Sequence, residues 1–125
     1  MKYYSTNHQA PATTLREAVE KGLAPDRGLY MPEKIKKLPK SFFDNIDSMS
    51  FQGIALEVAK AFFGDDVDET SLKKIVYDTL SFDTPVVKVD SNIYALELFH
   101  GPTLAFKDVG ARFMARLLQY FINKD

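Results

Sequence analysis

One lysine lies in a short stretch whose residue types could carry out chemistry. The stretch 99-FHGPTLAFKDVGARF-113 contains a Gly-Pro turn, an apolar segment, Lys107 and then the pattern of a helix start. A lysine amine is a nucleophile only when neutral, and its ordinary pKa of about 10.4 keeps it protonated at pH 7. Apolar surroundings and a nearby helix N-terminus both lower that pKa. Leu104 and Phe106 could supply the first, and a helix beginning at Asp108 the second.

A structural interpretation of the same residues stays open beside the chemical one. A lone lysine at a helix start is usually a solvated surface charge. Asp108 is then a helix N-cap, Gly101-Pro102 a turn and His100 a hydrogen-bonded structural residue. On the chemical interpretation, the same helix end would also favour an anion such as a phosphate group. On the local residues alone, the structural interpretation of Lys107 is the favoured one.

The composition is that of an ordinary globular protein and excludes several classes of function. The 125 residues allow one modest core, and the formal charge of -1 gives no basic surface for nucleic acid. No apolar run approaches the length of a membrane span, and no secretory signal pattern opens the chain. Without cysteine and with 2 histidines, no disulfide and no metal site is expected. A cytoplasmic protein is the expectation.

Capping residues and periodicity predict the elements that must position Lys107. Helices are predicted at 13–22, 51–64, 69–80 and 108–125, the first three capped by Thr13/Thr14, Ser50 and Asp68. Strands are predicted at Lys2–Ser5, at Leu29–Met31 and twice within 85–98, around a loop at 90–92. Residues 34–40 are predicted as a basic connector, and Phe42-Phe43 as a short turn or helix.

Apolar stripes on three of these helices are expected to form the core. On 51–64 the stripe consists of Phe51, Ile54, Ala55, Val58, Ala59 and Phe62. On 69–80 it consists of Leu72, Ile75, Val76, Thr79 and Leu80. On 108–125 it consists of Val109, Phe113, Leu117 and Phe121.

The string 97-ELFHGPTLAFKD-108 closely resembles the lysine motif of threonine synthase, a pyridoxal phosphate (PLP) enzyme of the second PLP fold type. The resemblance extends over the whole chain. Similar family segments match Tyr3-Tyr4-Ser5-Thr6, 23-LAPDRGLYMPE-33, 52-QGIALEVAKAFFGDDV-67 and 80-LSFDTPVV-87. The departures are modest. Asn7-His8 replaces the commoner Arg-Gly, and Arg27 stands where many members carry glycine.

The resemblance implies an α/β fold and a catalytic role for the lysine. A small, mostly helical N-terminal domain with short strands (1–83) would be followed by the first strands and helix of a fold-type II PLP domain (84–125). Lys107 matches the lysine that forms the internal Schiff base with PLP and then moves protons between substrate carbons. Phe106 would pack near the cofactor and Thr103 would help hold substrate. The family converts O-phospho-L-homoserine and water to L-threonine and phosphate.

The resemblance also implies that part of the site is missing. The family's glycine-rich cofactor-phosphate loop lies beyond the lysine helix, and the 6 glycines of this chain are scattered. The chain is therefore interpreted as an N-terminal fragment, inactive alone, whose partner is the missing C-terminal part. The stripe of the last helix is expected to be exposed and available for self-association.

Two other hypotheses stay open. The first is a non-catalytic or phospho-ligand-binding module related to threonine synthase. The second is a helical domain in which Lys107 is only a solvated charge.

Overall fold

The computed structural model describes residues 1–124, and the α/β class predicted from the sequence is confirmed. The strands are β1 (Lys2–Ser5), β2 (Thr13–Thr14), β3 (Tyr30–Pro32), β4 (Val86–Asp90) and β5 (Ile93–Leu96). The helices are α1 (Leu15–Lys21), α2 (Lys40–Asp44), α3 (Phe51–Phe63), α4 (Glu69–Thr79) and α5 (Lys107–Ile122). A single 3-10 turn occupies Ile46–Ser48.

The helix starts that the capping residues predicted are confirmed. The Thr14 hydroxyl accepts a hydrogen bond from the Glu17 N–H while the Glu17 carboxylate accepts one from the Thr14 N–H, which completes a capping box on α1. Ser50 caps α3 through the Gly53 N–H, and Asp68 caps α4 through the Ser71 N–H. Each cap fixes where a helix begins.

The N-terminal sheet has the antiparallel order β2-β1-β3, with Tyr3 opposite Thr13 on one side and Pro32 on the other. Strand β3 lies one residue later than predicted because the pairing with β1 extends through Pro32. No strand pattern in the sequence marks β2, and its two residues carry only the signal of a helix cap.

Two departures from the family pattern occupy unusual backbone positions. His8 has φ 56° and Arg27 has φ 65°, both in the left-handed region that favours glycine. Glycine is the family's commoner residue at these two positions. The backbone conformation therefore gives a physical reason for that preference. This chain has larger side chains at the same two positions.

The core lies between α1, α3, α4 and α5, and the predicted inward face of α4 is confirmed. Leu72 is fully buried, with the other members of its stripe around it. The expectation that the α5 stripe is exposed is wrong for two of its four residues: Leu117 is 2% exposed and Phe121 is also buried, because α5 packs against α1 and α4. Val109 and Phe113 are partly exposed. Leu117 and Phe121 are unavailable for the self-association expected of them.

The α3 stripe only partly reaches the core. Ala59 is buried, but so is Leu56, which lies outside the predicted stripe. Much of the stripe instead lines an open apolar groove of about 530 Å³ between α3, α4 and α5. The prediction that this stripe forms core is therefore confirmed only in part, because α4 packs against one side of α3 and leaves the rest of its apolar face on the open groove.

The antiparallel pair β4-β5 stands apart from this core, with a register irregularity between Lys88 and Asp90. Its residues are exposed almost throughout, and Val86, Val89 and Ile93 present apolar side chains to solvent. A two-stranded hairpin of this kind has little stability by itself. Across residues 1–124, no helix combines the length and the apolar character that crossing a membrane requires.

Candidate active site

The loop 97–106 joins β5 to α5 and delivers Lys107 as the first helical residue. The helix therefore begins one residue earlier than predicted. Phe106 occupies the N-cap position and makes no side-chain capping hydrogen bond. Within the loop, the Leu104 N–H donates to the Gly101 carbonyl at 3.0 Å, which closes the predicted Gly-Pro turn.

The Lys107 side chain is exposed, and within residues 1–124 its amine has no hydrogen-bond or ion-pair partner. The two apolar neighbours expected to surround it also face outward: Leu104 is 77% exposed and Phe106 is 74% exposed. The helix N-terminus predicted beside the amine is present, but the described residues do not build the predicted apolar enclosure. The amine is free, and it is flanked by uncovered apolar surface.

Asp108 is not the N-cap that the structural interpretation assigned to it. It is the second residue of α5, only 3% exposed, and its carboxylate turns back towards the preceding loop. The Thr103 N–H donates to Asp108 Oδ2 at 2.8 Å, and the Thr103 hydroxyl donates to Oδ1 at 2.8 Å. An N-cap residue would instead precede the helix and accept from N–H groups of its first turn.

The pKa of Asp108 reflects this setting. Burial acts to raise the pKa of the carboxyl group. The hydrogen bonds from Thr103, together with the positive charges of Lys107 and Arg112, outweigh burial and hold the pKa below its ordinary value. The carboxylate is therefore ionised at neutral pH and keeps both of its hydrogen bonds.

A second set of contacts fastens this loop to the helical core. A Cβ added at Gly101 would lie 2.6 Å from Asp108 Oδ2 and 3.0 Å from Phe82 Cε1. The Arg112 guanidinium lies over the Phe82 ring and donates to the Asp78 carbonyl at 2.7 Å and to the Ser81 hydroxyl at 2.9 Å. The start of α5 is thus held against the end of α4.

The structure places the other predicted site residues as follows. Thr103 is exposed, yet both of its donors are engaged by Asp108, so its hydroxyl oxygen keeps only acceptor capacity for a ligand. His100 has the predicted hydrogen bond, with its Nε2 atom 2.7 Å from Glu97 Oε2. The sequence did not predict that Asp108 would hydrogen-bond to the preceding loop. The one feature of the sequence that could have indicated this contact is the position of an acidic residue just inside a helix start.

The apolar groove does not share this chemistry. It includes Val109, Gly110 and Phe113 from α5, but no titratable side chain lines it. Of these two neighbouring features, the groove and the loop that leads to Lys107, only the loop and the helix start carry titratable side chains. A primary amine is the functional group that, once neutral, condenses with an aldehyde, so the chemistry of Lys107 fits a cofactor that carries one, as PLP does.

Comparisons with known proteins agree with the arrangement. Residues 2–80 match the family model described as the threonine synthase N terminus. The threonine synthase of Serratia marcescens is 38% identical over 118 residues, and that of Escherichia coli is 35% identical over 120 residues. These matches cover 94% and 96% of the chain but only 28% of either relative.

Solved structures give the same result. The crystal structure of PLP-bound threonine synthase from Brucella melitensis matches with a TM-score of 0.91 and 35% identity, covering 99% of this chain and 28% of that one. The threonine synthase structure from Escherichia coli matches with a TM-score of 0.90 and 34% identity, covering 100% of this chain and 29% of that one. The chain thus has the fold of rather more than a quarter of these proteins.

Proposed function

The chain belongs to the threonine synthase N-terminus family, and from this premise we propose that it forms the N-terminal part of a PLP-dependent threonine synthase. The whole enzyme would convert O-phospho-L-homoserine and water to L-threonine and phosphate. The observation that carries the proposal is Lys107, a free primary amine at the first residue of α5, within a stretch that resembles the family's lysine motif.

Each residue of the site has a proposed part. The Lys107 amine would hold the cofactor covalently and, once released by the substrate amine, would move protons between substrate carbons at its Nζ atom. When bound, PLP supplies an electron sink for carbanion charge on the substrate. Phe106 would pack near the cofactor, and Thr103 would help to orient the substrate through its remaining acceptor capacity.

The uncovered apolar surface near the lysine supports the view that further chain completes the site. Leu104 and Phe106 flank the amine and are largely exposed, and the β4-β5 hairpin is uncovered as well. Contiguous exposed apolar surface marks places where another surface packs. We assign the groups that hold the cofactor phosphate and the pyridine nitrogen to the part of the relatives that this chain does not span. We also propose a domain division near residue 83.

The test uses a full-length protein that carries this chain. With O-phospho-L-homoserine as substrate, we expect equimolar release of phosphate and L-threonine. Lys107→Ala should lower kcat by about a thousandfold or more, because it removes both the attachment point and the proton-transfer group. Lys88→Ala, which removes an exposed amine on β4, should change kcat by less than about twofold.

Two results would contradict the proposal. If Lys107→Ala retained most of the activity, the lysine would not have the role assigned to it. If the wild-type protein bound phosphorylated ligands without releasing phosphate, the chain would belong to a phospho-ligand-binding module. The 125-residue chain alone should show no turnover, since the remaining cofactor contacts would be missing.

A further inference from the structure

We propose that Asp108 is a positioning residue for Lys107: by holding Thr103, its carboxylate fixes the loop 101–106 against the first turn of α5. This inference rests on the proposed function, since it concerns how the reactive amine is presented. Asp108 itself touches neither substrate nor cofactor in this proposal.

A buried charge lies directly beside the lysine. A carboxylate removed from water is costly unless hydrogen bonds replace its hydration. Asp108 is 3% exposed, and its replacement partners are the N–H and the hydroxyl of one residue, Thr103. An acidic residue that served only the helix dipole could stay in solvent, so the burial points to a further role in tying loop to helix.

The loop that these bonds hold has an unusual backbone conformation. Leu104 has φ 55°, a left-handed conformation that is unfavourable for a leucine. Such a conformation persists only where the surrounding structure determines it. Here the Leu104 N–H itself donates to the Gly101 carbonyl, and the paired bonds from Thr103 fix the residue just before it, so the direction of the chain towards Lys107 is set.

Within residues 1–124 no side-chain cap closes this helix start, and the Asp108 and Val109 N–H groups donate to the Ala105 and Phe106 carbonyls at 3.1 and 3.3 Å. Phe106, at the N-cap position, makes no side-chain hydrogen bond to the first turn. The pair between Asp108 and Thr103 is not a cap, because its acceptor lies inside the helix, but it links the preceding loop to the first turn through side-chain hydrogen bonds. Lys107 lies between a fixed loop and a fixed helical residue, so its backbone is held while its amine stays free.

Three variants of the full-length protein separate positioning from stability. Asp108→Ala removes both bonds. Asp108→Asn keeps the shape, since its oxygen can accept from the Thr103 N–H while its NH₂ donates to the Thr103 hydroxyl oxygen. Asp68→Ala is the matched control, because it removes a carboxylate that caps α4 through the Ser71 N–H. Its contact with α5 is the hydrogen bond that it accepts from the Tyr120 hydroxyl, far along the helix from Lys107.

The measurement is the rate at which PLP attaches covalently to Lys107 in the cofactor-free protein. Attachment is followed by the absorbance of the lysine–PLP imine, and the site is identified by borohydride reduction and peptide mapping. Asp108→Ala should slow attachment about tenfold or more, because the amine is no longer presented in one direction. Asp108→Asn should stay within about threefold of wild type. Asp68→Ala should leave the rate unchanged while lowering the thermal midpoint.

The outcomes distinguish this inference from the proposed function. If the wild-type protein attaches no PLP at Lys107, both fall. If it does and Asp108→Ala attaches PLP at the wild-type rate, the inference alone is overturned. An Asn variant as slow as the Ala variant would also overturn it, since charge rather than the bonds to Thr103 would then matter. Should Asp108→Ala fail to fold, Thr103→Val, which removes only the hydroxyl donor, should slow attachment about threefold, and no slowing would refute the proposal.

Discussion

Gly101→Ala should destabilise the chain although its backbone conformation suits alanine. Gly101 does not occupy the left-handed region, so the effect of a side chain there is steric. The added Cβ would lie 2.6 Å from Asp108 Oδ2, 2.9 Å from Asp108 Cβ and 3.0 Å from Phe82 Cε1. These distances are too short for carbon contacts, so either the loop or the carboxylate must move.

The expected loss of stability is set by whichever of two responses costs less free energy: tolerating the overpacking or releasing the Asp108 carboxylate. Overpacking costs about 1–3 kcal/mol, and release of the Asp108 bonds to Thr103 costs about the same per bond. Alanine recovers about 0.4–1 kcal/mol by restricting the unfolded chain. The net expectation is a loss of about 1–2 kcal/mol in the free energy of unfolding.

Gly110→Ala is the matched control, since it adds the same methyl group to α5. No atom lies within 4 Å of a Cβ built there, so this variant should gain about 0.5–1 kcal/mol from helix propensity. Urea unfolding of the 125-residue chain, followed by circular dichroism at 222 nm, measures both changes. Equal effects of the two substitutions, or no loss for Gly101→Ala, would refute the packing assigned to the lysine loop.

Three further predictions concern the scaffold. Arg27→Gly should raise the free energy of unfolding by about 0.5–1 kcal/mol, because Arg27 holds φ 65°; a decrease in urea unfolding would contradict the strain assigned there. Hydrogen bonds from Thr13 and Thr14 lower the pKa of Glu17 from 4.5 to about 2, so its stabilisation is complete above pH 4.5 and is lost as the pH falls towards 2. Glu17→Gln should flatten the pH dependence of the urea midpoint in that window, and an unchanged slope would count against the capping box. Leu72→Ala should cost about 2–5 kcal/mol and Val89→Ala less than about 0.5 kcal/mol, since one side chain is fully buried and the other is 66% exposed; similar losses in thermal unfolding would contradict the assigned core.

The helix starts could be predicted from sequence because their causes are local. Thr14, Ser50 and Asp68 each bond an N–H group within three residues, so the signal and the contact lie in the same short segment. The spacing of apolar residues along 69–80 likewise predicted the inward face of α4. The burial of α5 could not be predicted in this way, since it depends on α1, which is distant in the sequence.

Only part of the candidate site could be predicted from the sequence. Local chemistry identified Lys107 as a residue that could react, yet favoured a surface charge, and only the whole-chain resemblance gave it a catalytic role. Asp108 was assigned as an N-cap because its partner, Thr103, lies across a turn whose left-handed Leu104 has no sequence signal. Side-chain bonds across an irregular loop depend on backbone geometry that residue types do not specify.

The central claim is that Lys107 is the lysine to which PLP attaches. The most direct measurement is borohydride reduction of a PLP-loaded full-length protein that carries this chain, followed by peptide mapping of the label. We expect a stoichiometric pyridoxyl group on Lys107 and none on Lys88 or Lys124. A label on another lysine, or no label after reduction, would contradict the claim.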